Sequence, residues 1–240
     1  MLTPKLEHLP GIPLPLVRGE SHACPYLPDR NASNLLFWSD GLDDADYQWL
    51  MDRNFRRSGT IFYRPSCGDC RECIPIRVPV AEFAPSKSQR RAWRKNTDVA
   101  VEIATPTCDD ERLDLYRRYQ SAVHDKSEFF GAGDYERFLV DSPVTTLEFS
   151  YRLDGRLIGV GIVDATPVAL SSVYFIYDPV FRERSLGTFS ALREIEECGR
   201  RGLPYWYLGL YVRDCAKMVY KASFRPFELL RDRVWHRQTM

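Results

Sequence analysis

Residues 146–177 read TLEFSYRLDGRLIGVGIVDATPVALSSVYFIY, and this stretch decides the fold. It contains three runs rich in β-branched and aromatic side chains, at 146–153, 157–164 and 168–177. Asp154-Gly155 joins the first two. That pair is favoured in two-residue hairpins because both positions take positive φ. Ala165-Thr166-Pro167 joins the next two. The pattern predicts an antiparallel three-strand meander.

Toward the C-terminus, the spacing predicts a helix over 186–200, stopped by Gly202 and Pro204. A strand at 205–210, a helix at 214–222 and a strand at 227–230 follow. Toward the N-terminus, Leu113, Tyr116, Tyr119 and Val123 recur at helical spacing, with Thr107 and Asp110 as the expected cap. A short helix fits 135–140. The first 105 residues are different, being rich in Pro, Arg and Cys. Helices are expected there only at 43–54 and 86–96, and strands at 60–64 and 74–80. Pro75 and Pro79 would confine the second strand to a sheet edge. Two regions are therefore expected, an N-terminal one over 1–105 and a second over 106–240.

The chain has 240 residues, enough for one or two domains at roughly 150 residues each. With 44% hydrophobic and 28% charged residues, disorder is excluded as the main state. No apolar run approaches the roughly 18 residues of a membrane span. The start, with Pro4, Pro10, Pro13 and Pro15, lacks the apolar stretch of a secretory signal. A soluble cytoplasmic protein without a membrane partner is expected.

Lys plus Arg number 33 and Asp plus Glu 33, so a uniformly basic surface is excluded. The balance hides a gradient: net −5 over 1–52, +8 over 53–95 and −3 over 96–240. The densest tract runs from Ser86 to Asn96. Ser86 and Gln89 have capping-box spacing. On the helix that follows, Lys87, Arg90, Arg91 and Arg94 share one side, and Trp93 points elsewhere, free to pin the helix to the body. Like charges on one side destabilise a short helix, and a phosphate backbone would relieve them.

Seven cysteines are present. Cys67, Cys70 and Cys73 form C-x2-C-x2-C, and Cys24 lies in His22-Ala23-Cys24-Pro25. Three thiolates at this spacing, with Cys24 or else His22 as fourth ligand, suit Zn or an iron–sulfur cluster. The plainer alternative is a loop of reduced thiols. Cys108, Cys198 and Cys215 stand alone and are expected to pack as small apolar residues.

Several segments together resemble one family. They are Cys24-Pro25-Tyr26-Leu27-Pro28-Asp29-Arg30, Phe55-Arg56-Arg57-Ser58-Gly59, Tyr63-Arg64-Pro65, the three-cysteine loop, Ile76-Arg77-Val78-Pro79-Val80, and Pro85 through Arg91. The second half adds Tyr177-Asp178-Pro179, Ser185-Leu186-Gly187-Thr188, Tyr207-Leu208-Gly209 and Lys217-Met218 through Pro226. Over roughly residues 20–230 the chain resembles bacterial aminoacyl-tRNA–protein transferases of the aspartate/glutamate leucyltransferase type, relatives of the eukaryotic arginyltransferases. The element order over 107–240 also matches the GNAT acyltransferase fold. The expected class is thus α+β or α/β, GNAT-like, with a mostly antiparallel splayed sheet flanked by helices and a Cys- and Arg-rich N-terminal region.

The resemblance implies an enzyme that moves leucine from leucyl-tRNA to the N-terminal amine of proteins beginning with Asp or Glu, marking them for degradation by the N-end rule. Its partners are then aminoacyl-tRNA and such proteins, not DNA. Transfer itself needs no cofactor, and a Zn or Fe–S centre on the cysteine loop stays open. Four sets of residues are candidates. Lys87, Arg90, Arg91 and Arg94 hold tRNA phosphates. Arg182, Ser185 and Gly187, at the start of a helix, offer amides to the acceptor end. Arg77 and Arg225 bind the acceptor's carboxylate. Tyr177 and Asp178 end the third meander strand, where Asp178 accepts a proton from or orients the attacking amine, and Lys221 steadies the oxyanion. The rival readings are an arginyl donor on the same acceptors, an acetyl-CoA-dependent acetyltransferase, and a non-catalytic RNA-binding or redox-sensing module. Against the acetyltransferase, the usual Q/R-x-x-G-x-G/A turn is not present and Gly187 alone stands in for it.

Overall fold

The structure, a computed structural model, describes residues 6–9, 12–124 and 131–238; Pro4 and Pro10 of the proline-rich start lie outside them. In chain order the main elements are β1 (Asn34–Trp38), α1 (Asp44–Met51), β2 (Arg56–Ser58), β3 (Ile61–Pro65), β4 (Ile74–Pro79), α2 (Lys87–Arg94), β5 (Ala100–Ala104), α3 (Asp110–His124), β6 (Thr146–Leu153), β7 (Arg156–Thr166), β8 (Ala169–Tyr177), α4 (Leu186–Arg200), β9 (Tyr205–Tyr211), β10 (Phe227–Arg231) and β11 (Val234–Gln238). The fold is mixed α+β.

The meander forms as the sequence dictates. Asp154 and Gly155 take φ of 50° and 81°, and β6, β7 and β8 pair antiparallel in turn. The eight-stranded sheet runs β5-β6-β7-β8-β9-β4-β10-β11 and is antiparallel except between β8 and β9. Those two are parallel and pair only from Ala169–Ser171 to Tyr205–Tyr207. Beyond Ser171 they part, and the fork between them is the main opening in the sheet.

Side chains of β7 alternate between two cores. Ile158 and Val163 pack with Trp206 and Leu208 under α4. Leu157, Val160 and Ile162 pack on the other face with Leu113, Leu115 and Tyr116 of α3. The small sheet of β1, β3 and β2 covers that second face further along, with Tyr47 and Leu50 of α1 against Ala169 and Tyr207. The buried Arg57 locks it there, donating to Asp164 of β7 at 2.5 and 2.8 Å.

The structure corrects several sequence expectations. No boundary falls at residue 105, because β4 and β5 from the first part sit in the same sheet as β6–β11. Strand β4 is interior, not an edge, despite Pro75 and Pro79. Its pairing with β10 covers only Ile76 and Arg77, between the prolines, and its pairing with β9 is irregular between Tyr207 and Leu210, beside Pro75. The missing N–H groups therefore fall where the ladder is interrupted. Asp109 rather than Thr107 caps α3, accepting from the Arg112 amide at 2.9 Å. The helix expected at 214–222 shrinks to a single 3-10 stretch, Val219–Ser223. The short helix expected at 135–140 divides into Ala132–Tyr135 and a wide turn, Glu136–Val140. Strand β11 had no expected counterpart.

Candidate active site

The fork holds a cleft of about 510 Å³ between β8 and β9, with the first turn of α4 on one side and the 3-10 stretch Val219–Ser223 on the other. Its walls combine apolar and aromatic side chains, Phe175, Tyr177, Leu186, Ala191, Trp206 and Leu208, with polar ones such as Ser172, Thr188 and Ser190. Arg56 sits where the strands separate. Its guanidinium donates to Ser171 Oγ at 3.0 Å and the Ser172 carbonyl at 2.8 Å. Gly209 of β9, at φ 77°, faces it, and a Cβ there would meet the guanidinium at 3.4 Å. Only glycine holds this positive φ and leaves that room.

Two ionisable groups face each other across the cleft. Lys221 is half-buried and its Nζ donates to the Leu210 carbonyl at 2.6 Å. Burial, then the charge of Arg56, pushes the ammonium down to about 7. Near neutral pH Nζ can thus hold or release a proton. Glu194 of α4 is buried, and burial raises its carboxyl above the usual range. It accepts from Trp206 Nε1 at 2.8 Å, Ser190 Oγ at 3.1 Å and the Ser172 hydroxyl. It is the one carboxylate among the described residues that line the cleft, and its oxygens are occupied.

Helix α4 begins at Ser185, which takes a left-handed φ of 57° and makes no side-chain cap. Its first turn therefore presents amides to the mouth of the cleft. Arg182 stands exposed beside it. The basic helix α2 lies along the outer side of α4. The capping box forms as expected, with Gln89 Oε1 accepting from the Ser86 amide at 2.8 Å. Trp93 packs edge-on against Phe189 of α4 at 5.6 Å. Both ends of α2 touch segments bordering the cleft. Gln89 Nε2 donates to the Ser223 carbonyl, and Asn96 Nδ2 to the Arg184 carbonyl at 2.8 Å. Lys87, Arg90, Arg91 and Arg94 are all exposed.

Of the residues singled out from sequence, Tyr177, Lys221, Arg182, Ser185 and Gly187 come together at the cleft. Three do not. Asp178 is buried and its carboxylate is taken by Arg118, Arg156 and the Val180 amide, which together hold it below the usual carboxylate range; burial acts the other way. It anchors the turn after β8 and is not placed to take a proton. Arg77 lies on the opposite face, donating to Glu228 at 2.7 Å and Tyr207 Oη at 3.0 Å, with its guanidinium 3.6 Å from the Tyr205 ring centre and 4.1 Å from that of Trp235. Arg225 is exposed, outside the cleft lining, above Phe227. Sequence reasoning missed Glu194 and Tyr220 as cleft residues, and Arg56 as the residue bonded where the strands part.

Cys24, Cys67, Cys70 and Cys73, with His22 at the rim, border a separate cavity of about 80 Å³. Among the described residues no three Cys, His, Asp or Glu side chains are arranged to hold a metal ion. Cys67 Sγ is engaged with both the amide and the carbonyl of Ser33. Burial, with neighbouring Cys67, Cys24 and Cys70, pushes the Cys73 thiol up to about 12. The four thiols thus line one small cavity, with Cys67 held against the Ser33 backbone. Cys198 and Cys215 are buried, as expected of packing residues, and Cys108 is partly so.

The family model described as arginine-tRNA-protein transferase, N terminus, matches residues 22–91, and its C-terminus counterpart matches 111–231. The chain is 40% identical over 219 residues to an aspartate/glutamate leucyltransferase from Pseudomonas fluorescens, covering 90% of this chain and 93% of that one. A protein of the same name from Pseudomonas putida gives the same identity and coverage. Among solved structures, the C-terminal domain of a protein named a lysylphosphatidylglycerol synthetase from Agrobacterium fabrum superposes with a TM-score of 0.51 at 12% identity, over 84% of this chain and 65% of that one. That likeness bears on fold alone. Among the described residues no helix is long and apolar enough to cross a membrane.

Proposed function

The chain belongs to the arginine-tRNA-protein transferase family, and we propose that within it this enzyme moves leucine from leucyl-tRNA to the N-terminal amine of proteins beginning with Asp or Glu, in the cytoplasm. The splayed, GNAT-like sheet supplies the cleft in which ester and amine meet. The observation that carries the choice of donor is the lining of that cleft. Phe175, Leu186, Ala191 and Leu208 give it an apolar stretch among polar side chains, and its one carboxylate among the described residues, Glu194, is already bonded to Ser172, Ser190 and Trp206. A leucyl side chain fits such a stretch. An arginyl guanidinium would need a free carboxylate.

The reaction forms a C–N bond at the ester carbonyl and breaks the C–O bond to the tRNA ribose. An α-amine has an ordinary pKa near 7.7–8.0, so only one proton stands between it and attack. That first proton goes to solvent; Lys221, with its value near 7, takes at Nζ the second proton, which the nitrogen sheds as the C–N bond forms, and passes it to the leaving ribose oxygen. Arg56 is a positioning residue: it holds the fork open and keeps Lys221 partly neutral. Orienting amine and ester contributes about 7–11 kcal/mol to the rate. The first amides of α4 meet the acceptor end of the tRNA, and the exposed cations of α2 meet its backbone.

The test is incubation of the protein with labelled leucyl-tRNA or arginyl-tRNA and peptides starting with Asp, Glu or Ala. Label from leucyl-tRNA should enter the Asp and Glu peptides and not the Ala peptide. Label entering only from arginyl-tRNA would reverse the assignment of the donor.

A further inference from the structure

A second hollow, of about 620 Å³, opens at the same end of the main sheet as the fork. Ile74, at the start of β4, lines it and pairs with Tyr211, the last residue of β9. Five arginines border this hollow, Arg53, Arg64, Arg71, Arg231 and Arg233, against Asp52 and Asp232. Asp52 is turned inward, accepting from Tyr207 Oη at 2.9 Å and Trp235 Nε1 at 3.0 Å. Arg231 and Arg233 are exposed at the β10–β11 hairpin tip. There Asp232 and Arg233 take φ of 51° and 64°. A long side chain in the left-handed region is disfavoured by about 1–2 kcal/mol. Glycine would relieve that cost, yet an arginine stands there.

The hollow adjoins the thiol cavity. The thiol cavity shares Pro65, Cys67, Cys70 and Cys73 with it and is also bordered by Leu210, whose carbonyl accepts from Lys221. Helix α2 flanks the cleft on the α4 side, and the arginine hollow lies on the other side, beyond β4.

We propose that the arginine hollow binds backbone phosphates of the tRNA, so that the RNA lies across the fork between two basic surfaces. This rests on the proposed donor being an aminoacyl-tRNA. Arg53, Arg64 and Arg71 are engaged with Trp49, Phe55 and the Gly68 and Cys70 carbonyls and add positive charge to the wall, while the exposed Arg231 and Arg233 present the guanidinium forks that suit phosphates. The acceptor's own carboxylate is a poorer occupant. From β9 across β4 to β10 is two strand spacings, about 9–10 Å. An Asp or Glu side chain does not span that distance while its amine stands at the ester in the fork.

The experiment compares wild type with the double variant Arg231→Ala, Arg233→Gly. Glycine suits the left-handed position, so the melting temperature should hold or rise. Binding of uncharged leucine tRNA is measured across a salt series, which needs no transfer activity. The Kd should rise at least about fivefold at 0.15 M salt, and the salt slope should fall by about 1.4–1.8. An unchanged Kd and slope in the folded variant would overturn the proposal. So would unchanged tRNA binding with a raised KM for Asp-starting peptides, which would give the hollow to the acceptor. If wild type transferred no leucine but the variant still lost tRNA affinity, the donor assignment would fall and the phosphate site would stand.

Discussion

Arg56 is buried and Lys221 half-buried at the fork, whereas Lys87, Arg90, Arg91 and Arg94 stand exposed along α2. The first pair is held by named oxygens, the Leu210 and Ser172 carbonyls and the Ser171 hydroxyl, and burial brings the lysine's pKa down to about 7. The α2 cations form a field. Salt screens such exposed charges beyond about 8 Å at physiological strength, so no single one decides much. Cations in the fork act one at a time on chemistry, and cations on the helix act together on capture. Substitutions in the two regions should therefore separate rate from affinity.

The largest effect belongs to the fork. Lys221→Met should lower the transfer rate by about 10²–10⁴ while tRNA Kd stays put, as single-turnover and binding measurements would show. Wild-type transfer should rise with pH through about 7 as Nζ loses its proton. The same group leaves a signature in stability. Its folded pKa lies below its unfolded value, so above pH 7 and up to the ordinary lysine range the unfolded chain binds the extra proton, and stability rises with pH. Lys221→Met should flatten that rise in denaturant titrations at several pH values. A rate loss matched by an equal loss of tRNA affinity would erase the division of labour.

Arg57, next to Arg56 on β2, sharpens the contrast. Strand alternation sends it to Asp164, where both side chains are fully buried. Arg57→Ala should cost about 3–5 kcal/mol of stability, because it strands a buried carboxylate. Urea unfolding reads this directly, and the residual folded fraction should bind tRNA normally.

Replacing Lys87, Arg90, Arg91 and Arg94 with alanine should lower the salt slope of tRNA binding by about 3. Single-turnover transfer at saturating tRNA should stay near wild type. A slope that does not move would remove α2 from the RNA surface.

What was legible in the sequence divides along a related line. The meander, the Asp154-Gly155 turn, α4 and the Ser86–Gln89 box depend on neighbours in sequence, and all of them stand in the structure. Arg77 was singled out because apolar residues flank it, and it is indeed buried. Its partners, however, are Glu228, Tyr205 and Trp235, more than a hundred residues away, and they use up the guanidinium. Asp178 was misread for the same reason: Arg118 and Arg156 reach it from other elements. The edge placement of β4 failed because a proline's missing N–H matters only where a ladder bond is required, and that depends on where β9 bulges and where β10 stops pairing. Arg56 carried a usable signal. Two adjacent arginines on a strand must face opposite ways, so one of them had to be explained by something other than the first one's partner.

The smallest effect tests whether α2 works by charge or by form. Ser86→Ala removes the hydroxyl that accepts from the Gln89 amide at 3.3 Å and leaves every cation in place. A lost N-cap costs about 1 kcal/mol. Much of the helix's position is fixed elsewhere, by Trp93 on Phe189 and by Asn96 on the Arg184 carbonyl. The variant should therefore melt a few degrees lower by circular dichroism, while the salt slope of tRNA binding stays at the wild-type value. Should the slope fall with the cap intact elsewhere and all four charges present, the helix would matter for its exact placement, and the fork and the helix would be less separable than their exposures suggest.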